Sequence, residues 1–209
     1  MGRYIGPVCR LCRREGLKLM LKGSRCESAK CAMERQWRSQ PPGMHAWRRR
    51  KAGDYGVRLR EKQKVKRMYR LLERQFADYL KTAEQKKGNT AELFLQSLEL
   101  RLDNIVFRLG LADSRDQARQ LVGHGHILVN GKVVTIPSFS VMPSSAIGVK
   151  PSKTSSLHYE MVKKSAQQRT LAAWLSFDPN ALQGTVLHAP IGDELNQGLR
   201  IPLLVEYYS

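Results

Sequence analysis

Residues 99–141 read ELRLDNIVFRLGLADSRDQARQLVGHGHILVNGKVVTIPSFSV, and the fold turns on this stretch. Leu102, Ile105, Val106 and Leu109 recur at helical steps and stop at Gly110. Ser114 with Gln117 three residues on is a capping box, which opens a short helix that Gly123 or Gly125 closes. His126-Ile-Leu-Val then runs into Asn130-Gly131 and Lys-Val-Val. Asn-Gly between alternating apolar residues is the strongest short hairpin signal, because both turn positions need a positive φ. Pro137–Val141 reads as a further short strand. The pattern predicts a helix–loop–helix followed by a small antiparallel sheet. Its core would hold Leu98, Leu102, Ile105, Val106, Leu109, Leu111, Ala118, Leu121, Val122, Ile127 and Val129.

Outward from this stretch the pattern changes. Residues 143–156 are rich in Ser and Pro and read as loop. A helix is expected near 158–168, with strands near 185–189 and near 203–208, where the run LLVEYY lies. Upstream, apolar residues at helical spacing from Val57 to about Lys87 predict a helical segment with one apolar and one densely basic face. Asn89 and Glu92 form a second capping box for a helix that carries Leu93, Phe94, Leu98, Leu102, Ile105, Val106 and Leu109. The expected class is α+β, with a mostly helical N-terminal domain. A four-cysteine metal module and basic arm occupies 1–45. A basic helical domain follows at 46–95, with segment 170–209 packing back on it. The helix–loop–helix and sheet domain fills 96–169.

The chain has 209 residues and a net charge of +18. Residues 1–75 hold 22 Lys and Arg against 6 Asp and Glu, while residues 76–209 are nearly balanced at +2. Concentrating +16 in one third of the chain costs self-repulsion, which an anionic partner relieves. A membrane surface would call for a basic amphipathic helix with aromatic anchors, and none is clean here. No run of 18 apolar residues and no secretory-type leader is present, so a soluble intracellular protein is expected.

All four cysteines, Cys9, Cys12, Cys26 and Cys31, fall within 23 residues as C-x2-C and C-x4-C. Two close pairs joined by an excursion suit a tetrahedral ion. One structural zinc is expected, with an iron–sulfur cluster as the alternative. Arg10, Arg13, Arg14, Arg25 and Lys30 would favour the thiolates. The metal would stabilise a stretch with few large apolar residues. Farther on, Arg48, Arg49, Arg50 and Lys51 form a basic run flanked by Trp37 and Trp47, suited to phosphate contact with a base or sugar stacked alongside.

In the central stretch, Arg115 and Arg119 stand four apart on one helix face. The tip Asn130-Gly131-Lys132 brings amides and an ammonium near them, and His124 and His126 can address 2′-hydroxyls. Pairing of Arg115 and Arg119 with Asp113 and Asp116 is the competing reading. The residues expected to meet RNA are Arg3, Arg13, Arg14, Arg48, Arg49, Arg50, Lys51, Tyr55, Arg58, Arg60, Lys62, Lys66, Arg67, Arg115, Gln117, Arg119, His124, His126, Asn130 and Lys132. No catalytic set is discernible.

R-L-D, R-x-G, S-R-x-x-A-R-x-x-V, G-H-I-x-V-N-G and P-S, in this order, resemble the S-four RNA-binding domain. MGRYIGPVCRLCRREG, the cysteine spacing, PPG with His45, DYGVRLREKQKVKRMY, ERQF and the ending LLVEYYS extend the resemblance over nearly the whole chain to the bacterial small-subunit ribosomal protein S-four family. Where that family usually has Gly after the first Tyr of its long helix, this chain has Arg70. Where it often has Gly-Asp, this chain has Ser144-Ser145. The resemblance implies a protein that binds the 5′ domain of small-subunit ribosomal RNA and begins assembly there. It also implies ribosomal proteins S-three and S-five and messenger RNA as neighbours, a part in translational accuracy, a place on the cytoplasmic ribosome, and no stable homo-oligomer. The alternatives are a nucleic-acid-binding zinc regulator and an RNA-modifying enzyme carrying the same domain.

Overall fold

A computed structural model describes residues 4–45, 53–166, 169–195 and 198–208. The chain divides into two compact units, residues 1–91 with 197–209, and residues 92–196.

In the first unit, α1 (Cys9–Glu15) ends at Gly16 in the left-handed region. Short 3-10 turns follow at Gly23–Cys26 and Gln36–Arg38. Val8, Leu19 and Leu21 are buried together with Cys12, Cys26 and Cys31. The single helical segment expected from 57 to 87 is two helices, α2 (Asp54–Met68) and α3 (Glu73–Glu84). The break is a Schellman closure, with Leu71 N–H donating to Lys66 O at 3.0 Å and Arg70 N–H to Arg67 O at 3.3 Å. Arg70 occupies the left-handed position at φ 58°. Asp54 in the first turn of α2 and Lys66 and Arg67 in its last complement the helix dipole.

The helix expected to run through 93–109 is likewise two, α4 (Thr90–Glu99) and α5 (Leu102–Arg108). Asn89 Oδ1 accepts from Ala91 N–H at 3.0 Å at the start of α4. The strand expected at 137–141 is absent, apart from one bridge between Arg101 and Ser140. Its backbone does another job: Leu102 N–H donates to Phe139 O at 2.9 Å and Asp103 N–H to Pro137 O at 3.1 Å. The segment satisfies the orphan amides that start α5.

The second unit continues with α6 (Arg115–Gly123), β1 (Ile127–Val129), β2 (Lys132–Val133), β3 (Ala146–Val149), α7 (Leu157–Ala166), β4 (Leu175–Asp178) and β5 (Gln183–Val186). The strands form one antiparallel sheet in the order β2-β1-β3-β5-β4. Ser114 Oγ accepts from Gln117 N–H at 3.3 Å, the expected cap. Asn130 at φ 48° and Gly131 at φ 79° make the hairpin turn.

Two expectations fail on this side. Residues 146–149, read as loop, form the central strand β3. Residues 170–196, assigned to the first unit, belong to the second, because β5 pairs with β3 and β4 with β5. Gly184 is required on β5. A Cβ there would lie 2.6 Å from Leu109 Cδ2 and 3.0 Å from Ser176 O. The sheet and helices enclose one core, with Leu102, Ile105, Val106, Ala118, Val122, Ile127, Ile147, Tyr159, Trp174 and Val186 inside. The expected core positions from Leu102 to Val129 lie there, Leu121 only partly buried.

The chain returns to the first unit through α8 (Ile201–Tyr208), a helix where a strand was expected. A short apolar run does not distinguish the two states by period alone. Pro202 suits the first turn of a helix, and Ile201 and Leu204, three apart, supply its buried face. No helix among the described residues is long and apolar enough to cross a membrane.

Candidate nucleic-acid interface

The basic face of the first unit is densely paired. Glu15, whose side chain is 1% exposed, holds both Arg60 and Arg67. Burial pushes the Glu15 carboxyl up, against the pull of Arg60 and Arg67. Burial also lowers Arg67, against the pull of Glu15. Glu73 holds Lys62 and, at 2.7 Å, Lys66. Tyr208 Oη donates to Glu73 at 2.8 Å. Burial alone would raise the Glu73 carboxyl, but hydrogen bonds from Lys62, Lys66 and Tyr208 hold it at about 2.

Lys62 is buried, with its ammonium 4.7 Å from the Tyr207 ring centre and 5.2 Å from that of Tyr208. Arg58 pairs with Glu206 at 2.9 Å, and Tyr55 and Tyr207 hydroxyls lie 3.3 Å apart. Lys62 therefore fastens α8 to α2 rather than presenting its charge outward, a correction to the expected contact. Arg14 and Tyr55 are exposed, and Arg13, Arg58, Arg60, Lys66 and Arg67 half-buried. Arg3, Arg48, Arg49, Arg50 and Lys51 lie outside the described residues, as does Trp47.

In the second unit the two helix arginines are turned inward. Arg115 is buried, its Nε donating to Asn104 Oδ1 at 2.9 Å, its guanidinium 4.6 Å from the Phe107 ring centre. Asn104 Nδ2 donates to Glu99 Oε2 at 2.8 Å, and Glu99 holds Arg108 at 2.8 Å. Arg119 pairs with Asp103 at 3.3 Å, and Asp103 holds the buried Arg101 at 2.6 Å. The intramolecular pairing weighed for these arginines is present with other partners, Asn104 and Asp103. Asp113 instead pairs with Arg169 at 3.1 Å. A direct phosphate contact from Arg115 is thereby replaced by a positioning role, since α5 and α6 are joined through it.

Gln117 is also structural. Its Oε1 accepts from Asp113 N–H at 2.8 Å, and its Nε2 lies 3.5 Å from His158 Nδ1. Asn130 Oδ1 accepts from Ala146 N–H at 2.8 Å, which ties the hairpin tip to β3.

The outward cations and imidazoles form a different group. His124 is exposed and His126 half-buried, their rings 6.4 Å apart. His126 Nδ1 lies 3.4 Å from Tyr159 Oη. Burial, then Lys153, His124 and His158, push the His126 imidazole below its ordinary value. Lys150 N–H donates to His126 O at 2.8 Å, and Lys150, Lys153 and Lys132 are exposed. Lys150 and Lys153 were missed in the sequence, where 143–156 read as loop. The signal available was charge: no Asp or Glu lies between Lys132 and Glu160.

Three of the four cysteines are buried, and Lys22 N–H donates to Cys26 Sγ at 3.3 Å. Burial pushes the Cys12 thiol up, a hydrogen bond at Leu19 opposes it, and Cys26, Cys9 and Cys31 raise it further. Among the described residues, no group of three or more His, Cys, Asp or Glu side chains is arranged to hold a metal ion.

Residues 3–99 match the model described as the ribosomal protein S4/S9 N-terminal domain, and residues 100–147 match the S4 domain. Small ribosomal subunit protein uS4A of Symbiobacterium thermophilum is 51% identical, over the whole of both chains. The uS4A protein of Myxococcus xanthus is 50% identical and the uS4 protein of Thermus thermophilus is 51% identical, again over the whole of both chains. On this full-length match the chain belongs to the family of small ribosomal subunit protein uS4.

Proposed function

We propose that this chain is a structural constituent of the small ribosomal subunit that binds the 5′ domain of its ribosomal RNA early in assembly. The observation that carries the reading is a positive surface the chain cannot neutralise itself. Glu15 and Glu73 each already hold two cations, and residues 1–75 still carry a net +16 in a chain of net +18. A polyanion of fixed shape answers that surplus, and A-form RNA is read through shape, phosphate and 2′-hydroxyl. The outward group His124, His126, Lys132, Lys150 and Lys153 supplies donors of that kind on the second unit. The chain works on the cytoplasmic ribosome, beside ribosomal proteins S-three and S-five and the channel where messenger RNA enters, and contributes there to accuracy.

The same reading includes one structural zinc on Cys9, Cys12, Cys26 and Cys31. By donor chemistry four thiols suit zinc, or an iron–sulfur cluster in its place, and the backbone donor on Cys26 suits a held thiolate; the thiols would have to close up from their arrangement in this structure. When bound, the metal would cross-link α1 to the turn at Gly23–Cys26.

Titration of the full chain against a 5′-domain RNA fragment, with duplex DNA and scrambled RNA as competitors, tests the first part. Nanomolar binding that survives both competitors supports it; equal binding to all polyanions that collapses with salt refutes it. Metal analysis of purified chain tests the second. One zinc per chain, lost on Cys9→Ser with the hairpin amide signals retained, supports it; a chain with intact thiols and no metal refutes it.

A further inference from the structure

Among the described residues, Trp37 is the most exposed of the large aromatic side chains in the first unit, at 68%. An indole left in water is costly, and hydrogen bonds hold the turn that presents it. The turn that carries it, Gln36–Arg38, is closed by Arg38 N–H to Arg35 O at 2.8 Å and Ser39 N–H to Arg35 O at 2.9 Å. Ser39 Oγ donates to Gln36 O at 2.8 Å. Two arginines tie the turn to its neighbours: Arg35 Nε donates to Ala29 O at 3.3 Å, and Arg13 Nε to Gln40 O at 2.8 Å. The Arg38 guanidinium lies 4.3 Å from the indole centre. A cation on the ring orders the indole while most of its surface stays in water.

We propose that Trp37, backed by Arg38, is a stacking platform for one unpaired nucleobase of the bound RNA. The inference rests on the RNA-binding reading above and deepens it by naming the ligand chemistry at this spot. A base offers a flat π-face that suits an indole, and stacking on an aromatic side chain tolerates any base. An unpaired base is required, since in a duplex both faces are already stacked. The charge around the platform selects nucleic acid over protein. No Asp or Glu lies between Glu34 and Asp54, and Glu34 is itself paired with Lys18. A protein partner would have to be acidic to sit there, whereas RNA brings its phosphates with its bases.

The test uses the full chain and the 5′-domain RNA fragment, with affinity measured at several salt concentrations for wild type, Trp37→Ala and Trp37→Phe. Stacking predicts a loss on the order of tenfold for Trp37→Ala, with the salt slope unchanged. Trp37→Phe, which keeps a π-face, should stay within about threefold of wild type. The platform is overturned if Trp37→Ala binds within about twofold of wild type. That includes the case where the variant instead weakens association with another protein of the subunit. It is overturned equally if Trp37→Phe loses as much as Trp37→Ala, since the loss is then not one of stacking. A wild-type chain with no preference for the fragment over duplex DNA would overturn the RNA reading itself, which is a separate result.

Discussion

The two units close their helices in the same way and hold themselves together in different ways. In the second unit, α5 and α6 end in Schellman closures with Gly110 at φ 77° and Gly125 at φ 69° in the left-handed position. In the first, α2 ends in the same hydrogen bonds with Arg70 at φ 58°. Beneath these ends, the second unit has a continuous apolar core with a few buried, fully engaged charges. The first unit also buries apolar side chains, Leu19, Val65, Phe76 and Leu80 among them, and adds ion pairs and tyrosines, with the buried Lys62 and the half-exposed Glu73 and Tyr208 joining α2, α3 and α8. The second unit encloses Glu99, Arg101 and Asp103. The other carries a large cationic surplus and depends on carboxylates that each serve two partners.

The largest effect should come from breaking an enclosed charge. Asp103→Ala removes the carboxylate that holds Arg101, which is 1% exposed, and should cost about 3–5 kcal/mol in chemical denaturation. A loss within about 0.5 kcal/mol would mean that the pair is not enclosed as described.

A reciprocal swap at the helix ends sharpens the comparison. Gly125→Ala should destabilise the second unit by about 1 kcal/mol, because a side chain in the left-handed region is strained. Arg70→Gly should relieve a similar strain in the first unit. It would give up the Arg70 Nη2 bond to Tyr4 O at 3.0 Å, so the net gain should be below about 1 kcal/mol. Thermal melts of the two variants should move in opposite directions.

The smallest effect is the acid response of the α8 attachment. The Glu73 carboxyl titrates at about 2 when folded, below its value of 4.5 in the free state. The stability it adds is therefore present above pH 4.5 and is lost as pH falls towards 2. The group is half exposed, so the contribution is modest and screened by salt. As pH falls through about 2 the Tyr208 ring signals of the folded chain should shift in wild type, and in Glu73→Gln they should not.

What could be read in advance follows from where the information lies. The Asn130-Gly131 turn, the Ser114 cap and the apolar steps of α5 and α6 are local, and each was legible. β3 was not, because Ala146–Val149 contains Gly148 and sits among Ser and Pro; only its neighbours β1 and β5 make it a strand. α8 was mistaken for a strand for the same reason, since its partner α2 lies far away in the chain. For the site, the sign of the charge pointed to the partner class. It could not tell Lys150 and Lys153, which face outward, from Lys62 and Arg115, whose partners Glu73 and Asn104 come from separate elements. Arg70 and Ser144 stand where relatives were expected to have glycine, and both adopt positive φ, at 58° and 64°.

The most direct test of the account is the salt dependence of binding to the 5′-domain RNA fragment for wild type and the double variant Lys150→Ala/Lys153→Ala. The outward group on the second unit predicts a slope lower by about two for the double variant, with folding unchanged. An unchanged slope would contradict the account, because the phosphate contacts would then not lie where the exposed cations of the second unit place them.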